Sequence, residues 1–193
     1  MKGRRLEEFY SVTDLKKSMN IKTNTSSIDV CPYKVDVPYP PIQVDSKNSV
    51  YACDMLGNMS EVVSEMSDVS RYFYIAVVAK PQSSWISSCF HHISIIEMHH
   101  LNIFAELALL LGADPRLWSC NEYSQWWSPS FVGYPRGLRA LVEESIRAEE
   151  AAIAKYSNQA DIIRDENIVA ILKRVVLDEE RHLQIFTEMY RQL

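Results

Sequence analysis

The runs EMHH at residues 97–100 and DEERH at residues 178–182 decide the fold of this chain. Each contains a glutamate followed three positions later by a histidine, namely Glu97 with His100 and Glu179 with His182. Residues three apart lie on the same face of an α-helix, so each pair directs a carboxylate and an imidazole to one side. These groups are common ligands of transition metals. The two runs therefore predict two helices that turn metal ligands toward a shared interior.

Apolar residues continue the helical period around both runs and in two further segments. The second segment stops before Gly112, which suits a helix C-terminus, and the fourth starts after Asp165, which suits an N-cap. Each apolar stripe advances in steps of three and four residues, which is typical of helices packed nearly parallel in a bundle. The four predicted helices cover about residues 49–79, 84–111, 136–160 and 165–191.

Each of the other two helices carries one glutamate on its apolar stripe. In the first helix Glu65 lies on the stripe, whereas its acidic neighbours Glu61 and Asp68 do not. In the third helix the stripe selects Glu149 over Glu150. The stripes contain Val62, Val69 and Tyr72 in the first helix and Ile146, Ile153 and Tyr156 in the third.

The two halves of the chain repeat one layout. Glu65 and Glu149 are 84 residues apart, as are Tyr72 and Tyr156, and the two Glu-x-x-His pairs are 82 residues apart. An internal repeat of this kind is what a metal site with twofold pseudosymmetry requires. Each tyrosine lies two turns after its glutamate, and is either a hydrogen-bond donor to a ligand carboxylate or an ordinary core tyrosine.

Four unpaired glutamates in an apolar interior are costly unless they are protonated or bind cations. Two divalent ions balance the four negative charges. A Glu on each of two helices and Glu-x-x-His on each of the other two is also the ligand set of ferritin-like di-metal proteins. The predicted metal ligands are Glu65, Glu97, His100, Glu149, Glu179 and His182.

The connection between the second and third helices, Gly112 to Gly137, is too long for a hairpin turn. The other two connections are short, so the helices they join should be antiparallel neighbours. Two hairpins joined by one long crossover form the ferritin-like topology. We expect Trp126 and Trp127 to pack the crossover against the bundle.

Four runs of the sequence resemble the helix motifs of the rubrerythrin and bacterioferritin group of the ferritin-like superfamily. The resemblance covers about residues 49–191 and implies an oxidoreductase that acts on dioxygen or hydrogen peroxide, by peroxide reduction or ferroxidase chemistry. It implies two iron ions as cofactor, with manganese as the alternative. The sequence contains neither the four-cysteine rubredoxin site of rubrerythrins nor a cage-forming signature. The runs are SEMSDVSRYFY (64–74), EMHH (97–100), AEEAAIAKY (148–156) and DEERH (178–182).

Other functions stay open at this stage. A metal-storage protein or a structural shell or coat protein could use the same bundle. A manganese-catalase-like enzyme is related, although in that family the fourth helix contributes His without the partnering Glu. An oxygenase or oxidase would need a pocket for an organic substrate beside the metals. The sequence does not identify an electron donor.

Composition limits the partners and the compartment. The net charge is -5 and no basic stripe is present, so we expect no nucleic-acid partner. The first ten residues lack the apolar region of a signal peptide, which predicts a cytoplasmic protein. The apolar stretch from Ile93 to Leu111 carries Glu97 and His100, so we expect no membrane partner. We expect a homo-oligomer, specifically a dimer.

Residues 1–47 contain Pro32, Pro38, Pro40 and Pro41 and show no sustained period. We interpret them as an extended arm ahead of a bundle at 48–193, with a short helix allowed between Leu6 and Met19. The arm either covers the bundle or reaches another subunit. The four cysteines show no C-x-x-C pair, which argues against a zinc ribbon or an iron–sulfur site and predicts four free thiols.

Overall fold

A computed structural model gives the structure of the chain and describes residues 33–120 and 124–193. Within these residues the fold is all-helical, and the only β-type pairing is an isolated bridge between Trp118 and Trp126. The elements are α1 (Ser49–Ser60), α2 (Glu65–Ala79), α3 (Ser84–Leu110), a 3₁₀ turn (Pro129–Phe131), α4 (Leu138–Ile162) and α5 (Glu166–Arg191).

The helices pack as two hairpins. α1 and α2 pack along α3, and α4 packs along α5, with smaller contacts between the hairpins. The long crossover between α3 and α4 separates them. The predicted ferritin-like bundle of two hairpins is therefore confirmed.

The first predicted helix is broken into two, which corrects the continuous helix expected over 49–79. α1 ends at Ser60, and α2 starts after Ser64, whose hydroxyl accepts a hydrogen bond from the Ser67 amide at 3.4 Å. The Ser64 hydroxyl also donates to the Glu61 carbonyl at 2.6 Å. Serine side chains offer the backbone such alternatives to helix, and apolar periodicity does not register them. Val62 lies in the break and is 56% exposed, so its predicted core position is wrong.

The two predicted helix boundaries are confirmed. At the end of α3, Gly112 adopts φ +101°, a conformation that glycine tolerates best. The Ala113 amide donates to the Ala108 carbonyl at 2.9 Å and the Gly112 amide to Leu109 at 3.0 Å, which closes a Schellman motif. At the start of α5, the Asp165 carboxylate accepts hydrogen bonds from the first-turn amides of the helix.

Two apolar clusters divide the core along the helices. One cluster contains Ile93 of α3 and Phe186 of α5, and the other contains Ile103 of α3 and Val175 of α5. The Glu-x-x-His runs fall between the two clusters on both helices. The bundle thus surrounds its polar residues with apolar packing at either end.

Residues 33–47 form an extended segment, the described part of the predicted arm, and they cover the bundle. The Val35 amide donates to Asp178 at 2.9 Å, and the Asp45 amide donates to Asp165 at 2.7 Å, so the segment runs along α5. Tyr39 is among its side chains packed against the core. The possible helix between Leu6 and Met19 lies outside the described residues, and the boundary at residue 47 stays a prediction.

Cys53 and Cys120 form a disulfide that ties α1 to the crossover, with their Cα atoms 5.4 Å apart. The prediction of four free thiols is therefore wrong for this pair. Cys89 is a buried free cysteine, and Cys31 lies outside the described residues. A disulfide persists in an oxidising environment, so it gives no support to the predicted cytoplasmic location, which stays a prediction.

The two crossover tryptophans behave differently. The Trp127 indole donates to the Ser67 hydroxyl at 3.0 Å, which fastens the crossover to α2 as expected. Trp126 is 61% exposed, so its predicted packing against the bundle is wrong.

Among the helices of the described part, only α3 is long and apolar enough to cross a membrane by length and composition. Half of its most apolar stretch is buried inside the fold. It also carries the buried Glu97 and His100, which would be expensive in lipid.

Candidate metal centre

The six predicted ligands all lie inside the bundle. Each is at most 2% exposed, although charged residues are rarely fully buried unless they are paired. They come from four helices: Glu65 from α2, Glu97 and His100 from α3, Glu149 from α4, and Glu179 and His182 from α5. The structure therefore brings all six together, and we call them the ligand cluster.

The ligand cluster divides into two overlapping sets of four. In each set the potential ligand atoms lie within 4.8 Å of one another. Glu97 and Glu179 belong to both sets, which is the position of carboxylates that bridge two ions. The first set adds Glu65 and His100, and the second adds Glu149 and His182.

The distances repeat across the two sets. Nδ1 of His100 lies 3.0 Å from Glu97 Oε2, 3.1 Å from Glu179 Oε1 and 3.7 Å from Glu65 Oε2. Nδ1 of His182 lies 2.9 Å from Glu97 Oε1, 3.1 Å from Glu179 Oε2 and 3.7 Å from Glu149 Oε1. The arrangement is thus close to twofold symmetric, as the internal repeat predicts.

Two buried carboxylate oxygens of the ligand cluster show whether the residues present fit a metal ion. Oε1 of Glu97 and Oε1 of Glu179 are buried and accept no well-aligned hydrogen bond from the described residues, although Nδ1 of His182 and Nδ1 of His100 lie 2.9 Å and 3.1 Å from them. An unpaired buried acceptor is costly, so native proteins rarely leave one unexplained. Both atoms belong to side chains shared by the two sets, where a cation would satisfy them. The residues present therefore fit two metal ions.

The electrostatics of the metal-free cluster favour protons in place of cations. Burial raises the pKa of Glu65 and of Glu149 well above the usual value. Burial would also raise the pKa of Glu179, but His100 and His182 outweigh it and lower that pKa. Burial opposes a charged His182, yet the adjacent Glu97 and Glu179 raise its pKa to about 10. The pKa of His100 is likewise raised well above its usual value, against burial, by Glu179 and Asp178.

Both predicted tyrosines bond a ligand carboxylate, each on the opposite hairpin. The Tyr72 hydroxyl donates to Glu149 Oε1 at 2.5 Å, and the Tyr156 hydroxyl donates to Glu65 Oε1 at 2.6 Å. Each tyrosine therefore reaches the counterpart of the glutamate that precedes it on its own helix.

The acidic neighbours of the ligands lie elsewhere. Asp68 is buried but pairs with Arg71, and it belongs to neither set of four. Burial raises the pKa of Asp68 to about 7. Glu61 pairs with Lys155 at 3.1 Å, and Glu150 is exposed. The structure therefore places Glu65 and Glu149, and none of these neighbours, in the two sets of four.

Sequence reasoning missed three residues next to the cluster. Asp178 and Tyr39 both contact Nε2 of His100, and Arg174 pairs with Asp178 at 2.9 Å. Asp178 and Arg174 are four residues apart on α5, so the pair was visible as an i, i+4 ion pair. Tyr39 left no signal, because it lies in a segment without period and far from α5 in sequence.

The rubrerythrin family matches residues 60–190 of this chain, which is more than half of its length. A manganese catalase from Anabaena shares the fold with a TM-score of 0.74 at 17% identity, over 82% of this chain and 78% of that chain. A bacterioferritin from Rhodobacter capsulatus shares it with a TM-score of 0.64 at 20% identity, over 76% and 87%. A bacterioferritin from Mycobacterium tuberculosis does so with a TM-score of 0.62 at 17% identity, over 76% and 87%.

No curated protein sequence matches the chain. At these identities the structural likeness shows the fold alone, and the fold is ferritin-like. Together with the buried set of carboxylates and histidines, the matches show a ferritin-like protein of the di-metal carboxylate type.

Proposed function

We propose that this chain, which belongs to the rubrerythrin family, is an oxidoreductase that reduces dioxygen or hydrogen peroxide with two bound metal ions. Iron is the metal we expect, and manganese is the alternative. The family, the fold and the ligand cluster support the proposal.

One observation carries it. Two sets of four buried ligand atoms share Glu97 and Glu179, so two ions held by them would be close neighbours. Paired ions about 3.5 to 4 Å apart are typical of two-metal catalytic sites. A storage site for single ions would need no such sharing.

The donor types are compatible with iron and manganese. Imidazole nitrogens suit iron, and carboxylate oxygens suit manganese. When bound, two such ions supply the pair of electrons that reduces peroxide or begins the reduction of dioxygen. The chain supplies the geometry and the charge balance, with Glu65, Glu97, Glu149 and Glu179 offsetting two divalent cations.

The surrounding residues hold the ligands in place. Tyr72 and Tyr156 are buried donors that fix Glu149 and Glu65. Because the ligand cluster lies between two apolar clusters, bulk water is excluded along the bundle axis. Fixed donors in a dry site are a general means of positioning reactive groups.

Anaerobic purification, metal analysis and addition of peroxide or oxygen test the proposal. We expect bound iron or manganese that is oxidised by one of the two substrates at a rate proportional to occupancy. Glu179→Ala should abolish the reaction, whereas Glu180→Ala, at the exposed neighbouring position, should not. A metal-loaded protein that reacts with neither oxidant would refute the proposed function.

A further inference from the structure

One residue breaks the symmetry of the internal repeat. Asp178 directly precedes Glu179, and the corresponding position before Glu97 is Ile96. Both positions are buried, at 0% and 7% exposed. One half of the repeat therefore has a carboxylate where the other has an aliphatic side chain.

This carboxylate serves His100 on the opposite hairpin. Oδ2 of Asp178 lies 3.3 Å from Nε2 of His100, on the side of the ring that faces away from the ligand carboxylates. The Tyr39 hydroxyl lies 3.0 Å from the same ring nitrogen and donates to the same Asp178 oxygen. Tyr39 thus joins the histidine to the aspartate.

Tyr39 is itself packed against Arg174 and His99. The guanidinium of Arg174 lies 4.1 Å from the centroid of its ring, and the ring of His99 packs edge-on at 4.7 Å. Arg174 also donates to the Val37 carbonyl at 2.7 Å and to the Val35 carbonyl at 3.2 Å. The extended segment that carries Tyr39 is therefore fixed to α5 just before the tyrosine.

His182 has no comparable support. Its Nδ1 faces the ligand carboxylates as that of His100 does, but its Nε2 is buried and has no hydrogen-bond partner among the described residues. In the internal repeat, Ile96 is the counterpart of Asp178. The two histidines are therefore equivalent on the metal side and different on the outer side.

We propose that Tyr39 is a positioning residue for His100 and makes the metal site of His100 the tighter of the two. The proposal rests on the proposed function only in taking the ligand cluster to bind two ions. It gives the segment before the bundle a role in metal loading.

The physical reason lies in the outer hydrogen bond of a metal-binding histidine. A partner on the second ring nitrogen fixes the tautomer and the ring orientation and raises the basicity of the ligating nitrogen. Removing such a partner typically weakens metal binding about 10- to 100-fold. Nε2 of His100 has two hydrogen-bond partners, and Nε2 of His182 has none in the described structure. The metal affinities of the two sites should therefore differ.

Titration of the metal-free protein with Co²⁺, followed by calorimetry and by the visible absorption of Co²⁺, tests the proposal. We expect two resolved steps of about one ion each. In Tyr39→Phe the tighter step should weaken about 10- to 100-fold with an altered Co²⁺ spectrum, while the weaker step keeps its affinity. Tyr51→Phe is the matched control, because the Tyr51 hydroxyl accepts a hydrogen bond from the Arg164 backbone amide at 3.1 Å.

A double variant separates positioning from general stability. If Tyr39 acts through Asp178 and His100, Tyr39→Phe adds little to the loss already caused by Asp178→Asn. Two identical steps in the natural protein, equal weakening of both steps in Tyr39→Phe, or fully additive losses would each overturn the proposal. Failure to bind Co²⁺ at all would overturn it together with the proposed function. Two-step binding of metal as expected, without any reaction toward oxidants, would refute only the proposed function.

Discussion

The hydroxyl of Tyr72 on α2 donates a hydrogen bond to Oε1 of Glu149 on α4 at 2.5 Å. Its counterpart, Tyr156 on α4, donates to Glu65 on α2 at 2.6 Å. The two bonds cross between the hairpins and connect them at the level of the ligand cluster. Each hairpin therefore depends on the other for the position of its glutamate.

Tyr72→Phe should weaken both the fold and metal binding. The change removes a buried hydrogen bond to a carboxylate and leaves Glu149 without this donor, which should lower the free energy of unfolding by about 1 to 2 kcal/mol. Chemical denaturation measures the stability, and metal titration should show reduced affinity at the set that contains Glu149.

Tyr74→Phe is the control for this prediction. Tyr74 lies on the same helix, and its ring packs edge-on against Tyr134 rather than against the cluster. We expect little change in metal binding from it. Equal effects of the two variants on metal affinity would show that the crossed bond has no role in the site.

Stability of the metal-free protein should fall as pH rises from about 6.5 to 9. The pKa of His182 is raised from 6.5 to about 10 in the folded state, so its contribution is present below pH 6.5 and is lost as pH rises through about 10. The raised pKa values of Glu65 and Glu149 act in the same direction. The lowered pKa of Glu179 acts oppositely, but only as pH falls below its usual value of 4.5.

Thermal melts at fixed ionic strength compare the metal-free and metal-loaded forms across this range. Cations take the place of the protons in the loaded form, so its stability should be higher and nearly independent of pH between about 6.5 and 9. Identical pH responses of the two forms would mean that the six residues do not act as one buried site.

The Cys53–Cys120 bond should contribute measurably to stability. It closes a loop of 67 residues in sequence separation, and disulfides of this kind typically stabilise by roughly 2 to 4 kcal/mol. We expect peptide mapping without reductant to recover the linked pair, and the double change to serine to lower the free energy of unfolding by about that amount. Recovery of both peptides as free thiols would contradict the structure at this point.

Glu149→Ala should disrupt metal loading, and Glu150→Ala should leave it nearly unchanged. Glu149 is 2% exposed and belongs to a set of four, whereas Glu150 faces solvent. Elemental analysis of both variants after reconstitution measures the difference. A larger loss of metal in Glu150→Ala than in Glu149→Ala would show that the register of α4 is wrong by one residue.

The sequence predicts most of the bundle because helical periodicity is a local property. The stripe that selects Glu149 over Glu150 also gives the buried face of α4, and capping residues give the ends of α3 and α5. The break between Ser60 and Glu65 escapes this reasoning, since serine hydroxyls that bond the backbone leave the apolar period almost unchanged.

The outer partners of the site were less accessible to sequence reasoning. Asp178 lies next to a predicted ligand. The two halves of the repeat already differ in sequence there, because position 178 is Asp and its counterpart at position 96 is Ile. Tyr39 could not be placed, because its contacts with His100 and Asp178 span 61 and 139 residues.

Counting the metal ions bound per chain tests the central claim most directly. After reconstitution with Fe²⁺ without oxygen, or with Mn²⁺, elemental analysis should give about two ions per chain. Because Glu97 and Glu179 belong to both sets of four, Glu97→Ala or Glu179→Ala should lose both ions, whereas Glu65→Ala should lose chiefly one. Two ions per chain retained in both Glu97→Ala and Glu179→Ala would contradict a metal centre built on these shared carboxylates.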